Sequence, residues 1–464
     1  MRPVYLCLII FFAALLSCSK DGFINSSNAR LSVSESLITF DTVFTSTGSI
    51  TKFFKIFNDN DARLRINEIH LAGGADSRFT ININGLPTHT AQDLIVDAND
   101  SIYVFVTANI GATGGNAPFI VEDSISILFN GNKRWVQLQA WGQDAHFIRN
   151  ARLNEDQTWT NDKPYVIIGG MRLEEGNTLT IEAGCRIYSH ADAPMIIDGT
   201  LKAIGEEYDS MKVTFQSDRL DRPYSEHPGS WPGIVFSESS MNNELRFVQL
   251  KNAYQGIVIR GNQQTETQLK LSETIISGCY DAGILSFGAV VEGDNILINN
   301  CGKGIVLAHG GQYRFRHCTI AGLNSPYLPH KEASLQISDN VRDAGVVYIN
   351  ELNALFENCI IWGSDGIVED EVLVHRAGNE PFRIRIDNSI IRWQRTPSLI
   401  EGDDNIINED PGFIGEGEDT RQFDFHLAEW SVAIDKGKRT SVAIDLDGIT
   451  RDTLPDIGCY EKRP

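Results

Sequence analysis

The chain has 464 residues, a formal net charge of −21 and a pI near 4.9. This acidity argues against nucleic acid as a partner, because phosphate contacts require a basic surface, and it fits a soluble surface outside the cytoplasm. The hydrophobic content of 42% excludes wholesale disorder.

An apolar run extends from Val4 to Leu16 and ends at Ser17-Cys18. It is too short to span a bilayer but suits the apolar part of a signal peptide. Leu15-Leu16-Ser17-Cys18 resembles a bacterial lipobox, in which the cysteine after the cleavage site carries the lipid. We therefore predict a lipoprotein signal peptide over residues 1–17, lipidation at Cys18 and a tether over 18–28. The alternative is an ordinary secretory leader with an incidental cysteine.

The next residues, Ser19-Lys20-Asp21, resemble the export signals of Bacteroidetes lipoproteins. This resemblance implies an outer-membrane location, with the protein anchored by its N-terminal lipid and exposed on the cell surface. More than one acyl chain makes such an anchor stable.

Residues 29–144 contain short alternating apolar runs, such as Thr51–Phe57 and Ser101–Val106, separated by polar turns such as Asn130-Gly131-Asn132. This pattern predicts a β-sandwich. The segment from Phe53 to Leu71 resembles the immunoglobulin-like accessory domains of bacterial envelope proteins.

From residue 245 onward one short phrase recurs at steps of about 22 residues, with longer steps that indicate insertions. The last residues of the six phrases are Leu250, Ile276, Ile298, Ile320, Ile361 and Ile391. Strands of this length that return at this period predict a parallel β-helix, here placed over residues 150–409. A β-sandwich with accidental periodicity is the alternative.

Alternation along each strand predicts that these six residues form an inward column. Their preceding neighbours would then point outward as a largely apolar strip, comprising Gln249, Ile275, Leu297, Thr319, Ile360 and Ile390. Such strips are usually covered. We expect the insertion 324–350 to cover this one, ahead of the sandwich or a partner protein.

Six cysteines follow Cys18, and four of them fall at two aligned positions of the repeat, Cys279 with Cys301 and Cys318 with Cys359. A small buried side chain suits a stacked column, so free thiols are favoured over disulfides. No Cys-x-x-Cys pair occurs, which argues against a structural zinc site.

Two insertions leave the repeat, around residues 219–231 and 324–332. Loops on a rigid scaffold often carry binding groups, and aromatic rings beside charged donors suit a sugar. The candidate ligand-binding residues are Arg222, Tyr224, Trp231, Tyr327 and His330. Alternatively, Trp231 packs a turn onto the coil.

The last segment, 410–464, contains Asp410-Pro411-Gly412-Phe413 and Asp456-Ile457-Gly458-Cys459-Tyr460. It resembles the choice-of-anchor tails that end many solenoids, and we expect it to cap the coil. With Leu179–Gly205 and Pro228–Ile234, it makes the chain resemble right-handed parallel β-helix lipoproteins of Bacteroidetes. The resemblance implies an all-β, pectate-lyase-like (pectin lyase-like) fold but no particular activity.

The sequence shows no carboxylate cluster on the outward strip and no serine-hydrolase, zinc-protease or phosphate-loop motif. His309-Gly310-Gly311 is interpreted as a turn. Glu401–Asp404 and Glu416–Asp419 are candidate calcium loops, although solvated loops are favoured and no other metal or cofactor is predicted. The function predicted is a non-catalytic surface scaffold or glycan-binding protein with a polysaccharide or envelope protein as partner. The alternative is a polysaccharide lyase or glycoside hydrolase.

Overall fold

A computed structural model describes residues 22–45, 47–262, 265–364, 366–395, 398–415 and 423–463. The predictions for residues 1–17, Cys18 and Glu416–Asp419 therefore lie outside the described residues. Two compact units divide at Asp144 and Ala145. Three 3-10 helices are present in the described part, at Gly74–Asp76, Asp209–Met211 and Tyr224–Glu226. Within these ranges, no helix combines the length and the apolar character needed to cross a membrane.

The first unit consists of two five-stranded sheets, ordered β1-β3-β8-β5-β6 and β2-β10-β9-β4-β7. One apolar cluster joins the inner sides of both sheets, and the rings of Phe40 and Phe79 lie 6.0 Å apart within it. The strands are β1 Leu31–Val33, β2 Leu37–Phe44, β3 Lys52–Asn58, β4 Leu64–Leu71, β5 Phe79–Ile83, β6 Leu86–Pro87, β7 Thr90–Val96, β8 Ser101–Ala108, β9 Phe119–Phe129 and β10 Asn132–Gln143.

The second unit contains the remaining strands, most of them three to six residues long. They are β11 His146–Leu153, β12 Gln157–Trp159, β13 Tyr165–Leu173, β14 Thr178–Ile181, β15 Arg186–Ser189, β16 Met195–Ile197, β17 Thr200–Ile204, β18 Val213–Ser217, β19 Ile234–Phe236, β20 Asn243–Arg246, β21 Val248–Lys251, β22 Gln255–Arg260, β23 Leu269–Ser277, β24 Ala282–Phe287, β25 Val290–Asn299, β26 Lys303–Ala308, β27 Gly311–Arg316, β28 Thr319–Gly322, β29 Leu335–Ser338, β30 Asn340–Asp343, β31 Val346–Ile349, β32 Leu352–Glu357, β33 Ile360–Gly363, β34 Val372–His375, β35 Phe382–Asp387, β36 Ile390–Ile391, β37 Ile400–Glu401, β38 Ile406–Ile407, β39 Phe413–Gly415 and β40 Asp424–Leu427.

Strands β11 to β29 and β32 to β38 form one sheet of 26 strands in which each strand pairs in parallel with the strand one coil later. Three faces result. The first face contains β16, β19, β22, β24, β26, β29 and β34; the second contains β14, β17, β20, β27, β32, β35 and β37; and the third contains β15, β18, β21, β28, β33, β36 and β38. Strands β23 and β25 run through the second and third faces. This coiling is compatible with the predicted β-helix.

The inward column is confirmed. Leu250 pairs with Ile276, and the register continues coil by coil to Ile391, with every member buried. The residue that precedes each phrase takes a left-handed conformation with φ between 44° and 57°, which turns the chain from the second face to the third. These residues are Phe247, Glu273, Asn295, His317, Asn358 and Asn388.

The expected cover of the outward strip is wrong. Leu297, Ile360 and Ile390 belong to an apolar cluster with Phe413, Leu427, Leu446 and Ile457 of the C-terminal tail. The segment 324–350 instead supplies β29 to the first face and the antiparallel hairpin β30–β31. Its phrase Leu335-Gln336-Ile337 is a solenoid strand, and therefore cannot leave the coil to cover another face.

Hydrogen bonds also hold the C-terminal tail along the side of the solenoid. Within the second unit the Asn358 amide donates a 2.7 Å hydrogen bond to the Lys438 carbonyl, and the Asn295 amide does the same to Ile444. All six cysteines from Cys185 to Cys459 are free and buried, including the four at the aligned positions of the repeat.

Candidate functional site

The two insertions meet through a histidine that the sequence did not single out. The His227 ring lies 5.2 Å from the Tyr224 ring and 4.6 Å from the Tyr327 ring, measured between centroids. The Arg219 guanidinium lies 4.3 Å from the Tyr224 centroid and pairs with Asp221. Two of the predicted ligand residues, Tyr224 and Tyr327, are thus brought together.

The first insertion is fastened to the turns that precede the first-face strands. Backbone amides of Gly229 and Ser230 donate to the carbonyls of Ala253 and Asn252, at 3.2 and 2.8 Å. The Asn252 side chain donates in return to the Ser225 carbonyl at 2.7 Å. These bonds hold the insertion beside the turn at residues 252–254.

Two tyrosines on those turns extend the ring cluster. Tyr254 and Tyr280 stack with their centroids 5.6 Å apart and are 49% and 54% exposed. A Cβ on Gly229 would lie 3.2 Å from Cβ of Tyr280, so the insertion directly abuts this stack. We call Tyr224, His227, Tyr254, Tyr280 and Tyr327 the aromatic edge.

A polar ladder accompanies the aromatic edge. The Asp281 carboxylate accepts hydrogen bonds from Gln255 and from Lys303, both at 2.7 Å. Burial by itself raises the pKa of Asp281, but the hydrogen bonds from Gln255 and Lys303 outweigh it and the pKa is lowered. A charged acceptor and an ammonium donor are therefore paired at Asp281, the residue that follows Tyr280.

Trp231 does not belong to this surface. Its ring is fully buried in the solenoid core, and its Nε1 donates to the Lys251 carbonyl at 2.8 Å. The alternative interpretation, that Trp231 packs a turn onto the coil, is the one the structure supports. Arg222, by contrast, is exposed.

His330 is also buried, and it joins the second insertion to Glu371. Its Nε2 lies 2.8 Å from a carboxylate oxygen of Glu371, whose other oxygen accepts from the Ser334 backbone and hydroxyl. A Cβ on Gly363 would come within 1.8 Å of the Glu371 carboxylate, so a larger residue there would displace that carboxylate from His330. His330 is therefore corrected to a structural residue, because its ring is enclosed by protein.

A strip of aliphatic side chains crosses the coils on the outer side of the first face. Val258, Leu285 and Val306 are register partners on consecutive coils and form this strip, and the next partner in the row is the amide Gln336. Leu285, Val306 and Gln336 are partly exposed. The strip lies between the aromatic edge, where β22, β24 and β26 begin, and the opposite edge, where they end.

A groove of about 660 Å³ occupies that opposite edge, between the strand ends and the hairpin β30–β31. Its lining includes Arg260, Phe287, His309, Arg342, Asp343 and Tyr348. The Arg260 guanidinium lies 5.8 Å from the Phe287 centroid. Apart from the turn His309-Gly310-Gly311, no sequence signal indicated this groove, because the hairpin that forms one wall is placed only by the fold.

The described residues include no group of three or more His, Cys, Asp and Glu side chains that could hold a metal ion. In the first candidate calcium loop, Asp403 pairs with Arg385 at 2.8 Å. Calcium binding by the acidic loops stays a prediction.

No family model matches the sequence. No curated protein matches it. Among solved structures, XylC in complex with xylose aligns over 91% of this chain and 89% of its own, at 9% identity and a TM-score of 0.34.

A family 123 glycoside hydrolase from Clostridium perfringens aligns over 25% of this chain, at 8% identity and a TM-score of 0.18. This chain spans about a quarter of that enzyme, 26% of its length. A Porphyromonas gingivalis W83 protein of unknown function aligns over 27% of this chain and 59% of its own, at 8% identity and a TM-score of 0.19. Likenesses this distant carry no argument about function.

Proposed function

We propose that the first face of the solenoid binds an extended glycan without cleaving it. The observation that carries this proposal is the aromatic edge, in which rings from two insertions and from two successive turns share one exposed surface. Aromatic rings pack against the C–H faces of sugars, while nearby polar groups bond the hydroxyls. Asp281, which follows Tyr280 in the chain, and its partner Lys303 are such groups.

The first face also suits a polymer. Strands β22, β24 and β26 are each six residues long, so the aromatic edge and the groove are separated by about 20 Å at 3.3 Å per residue. The aliphatic strip lies between them, and the groove has the volume of an ordinary ligand pocket. A chain of several sugars can therefore contact rings at both edges at once.

The same proposal covers the membrane attachment, the location and the domain identities of the protein. A lipid on Cys18, an outer-membrane and surface location, an immunoglobulin-like identity for the first unit and a right-handed coil all follow from the resemblance to Bacteroidetes lipoproteins. A glycan-binding face on an anchored solenoid would hold a polysaccharide at the cell surface.

Affinity electrophoresis tests the proposal in native gels that contain arabinoxylan, glucomannan, pectin or soluble starch. We expect at least one polymer to retard the full chain. Tyr254→Ala combined with Tyr280→Ala should reduce that retardation at least fivefold, because both rings are exposed contact surface. Tyr208→Ala is the matched control, since Tyr208 is an isolated ring that is 65% exposed in the same unit. Full retardation of the double variant would contradict the proposal.

A carbohydrate-active lyase or hydrolase is the second candidate, and one observation favours it. The groove places the His309 imidazole and the carboxylates of Glu238 and Asp343 around one cavity, which are groups suited to general acid–base chemistry. Incubation of the retarding polymer with the chain separates the candidates. New reducing ends or unsaturated products that disappear in His309→Ala would establish catalysis and displace the binding proposal.

A further inference from the structure

Three exposed rings form a platform on the outer side of the first sheet of the N-terminal unit. Phe53 on β3 and Phe105 on β8 are register partners, so their rings emerge side by side, with centroids 6.0 Å apart. Tyr103 lies 5.5 Å from Phe53 and 5.9 Å from Phe105. We call these three residues the ring platform.

The ring platform lies on the outer side of its sheet. A one-residue shift in strand register would have turned each of these rings inward. Phe53 is 51% exposed, and Tyr103 and Phe105 are 37% exposed each. Their sequence neighbours Phe54 and Val104 are fully buried, so the sheet has a complete inner face without the platform. The three rings therefore take no part in the core of the unit, and core packing does not explain why they are grouped.

Polar groups adjoin the platform on two sides. The Lys55 ammonium lies 4.7 Å from the Tyr103 centroid, where it is attracted by the ring and stays close to the platform. On another side, a groove of about 390 Å³ is lined by Phe53 together with Glu35, Thr39 and Lys52. The Lys52 ammonium donates to the Thr39 carbonyl at 2.8 Å, so the ammonium that faces the rings is that of Lys55. The groove adds the polar residues Glu35 and Thr39.

The size of the platform distinguishes between two kinds of occupant. At roughly 200 Å² for a whole aromatic side chain, the exposed fractions correspond to about 250 Å². A specific protein–protein interface needs about 800 Å² on each partner. The three rings alone supply about a third of that area, and they match the face of one or two sugar rings in size.

We propose that the ring platform Phe53–Tyr103–Phe105, with Lys55 and the adjoining groove, is a second glycan-binding surface that takes the C–H face of a pyranose chain. It lies in a different unit from the first face and does not depend on the function proposed there. A flat platform presents no walls, so its ligand is the exposed side of an extended or particulate polysaccharide. The groove supplies hydrogen-bonding partners for hydroxyls at the border of the rings.

The test is depletion of the full chain from solution by microcrystalline cellulose, chitin and insoluble xylan. The background is the Tyr254→Ala, Tyr280→Ala variant, so that binding at the first face is suppressed. We expect at least one solid to deplete this background protein. Adding Phe53→Ala and Tyr103→Ala should lower the bound fraction at least fivefold, whereas Tyr103→Phe, which keeps the ring, should preserve it.

Trp135→Ala is the matched control, because Trp135 is an exposed ring of the same unit with the Lys133 ammonium 4.0 Å from its centroid. It stands on β10 of the other sheet, apart from the platform, and should leave depletion unchanged. Thermal unfolding of each variant verifies that the first unit is folded; if the double substitution unfolds it, Tyr103→Ala alone must lower depletion.

Three results would overturn the inference. They are absence of depletion by all three solids, equal depletion with and without the platform rings, and a change of oligomeric mass in light scattering on removal of the rings. The last result would identify a protein occupant. Full gel retardation of the Tyr254→Ala, Tyr280→Ala variant, with platform-dependent depletion intact, would count against the function proposed above and leave this inference standing.

Discussion

Gly458 of the C-terminal tail lies directly against Ile360 of the third face. A Cβ added to Gly458 would come within 2.7 Å of Ile360 Cδ1 and 3.0 Å of Thr319 Oγ1. The Gly458 amide donates to the Asn358 carbonyl at 2.9 Å, and the next amide, that of Cys459, bonds Thr319 Oγ1. The tail thus covers an apolar strip that the solenoid leaves on its outer side.

Gly458→Ala should weaken the packing of the C-terminal tail against the third face. The glycine has φ = +102°, which costs an L-residue about 1–2 kcal/mol, and overpacking adds about 1–3 kcal/mol. We therefore expect a loss of about 2–5 kcal/mol in the free energy of unfolding, measured by denaturant titration. Gly345→Ala is the control, because Gly345 has φ = +86° but nothing within 4 Å, so only the backbone term applies. Equal effects of the two substitutions would mean that the tail does not press on Ile360.

Ile298 tests the inward column. It is 1% exposed and pairs with Ile276 on one side and Ile320 on the other. Truncation to alanine leaves a cavity, so Ile298→Ala should cost about 2–5 kcal/mol. Ile298→Asp should prevent folding, because a buried carboxylate has no partner in this column. Circular dichroism after expression measures both, and a near-native melting curve for the aspartate variant would refute the assignment of the column.

His317 should make stability depend on pH. Burial, followed by the positive charge of Arg451, lowers its pKa well below the ordinary value, and its Nε2 lies 2.9 Å from the Asn358 amide nitrogen. The folded protein therefore keeps this ring neutral while the unfolded chain binds a proton below about pH 6.5. In that window the unfolded state holds more protons, so stability falls as the pH drops, by at most about 1.4 kcal/mol per pH unit.

His317→Asn removes this titration with little change of shape, because Asn295 and Asn358 occupy the same corner of adjacent coils with similar φ. Denaturant titrations at pH 7.5, 6.5 and 5.5 should show a shallower pH dependence in the variant than in the natural chain. The same slope in both proteins would assign the acid sensitivity to other groups.

Cys18→Ala tests the proposed anchor. Without the thiol the lipid has no attachment point, so we expect loss of palmitate labelling and either an uncleaved precursor or release of the protein from membranes. Ser19→Ala is the control, because it changes the neighbouring residue and leaves the thiol in place. Labelling that survives Cys18→Ala would exclude this cysteine as the lipidation site.

The repeat alone was enough to establish the coil and the direction of its side chains. A column from Leu250 to Ile391 requires only that identical positions recur and that side chains alternate along a strand, and both properties are local. The free cysteines followed for the same reason. Tyr224 and Tyr327 were also recognised as surface rings, because both stand on insertions.

Only the tertiary structure decided what these elements contact. The tail covers Ile360 although it lies about a hundred residues further along the chain, and His227 joins two insertions that are equally distant in sequence. Trp231 and His330 have the composition of ligand residues, yet their rings are enclosed by packing that no local pattern specifies. Periodicity along a chain determines which way a side chain points, whereas its neighbours depend on how distant segments fold back, and burial and binding depend on those neighbours.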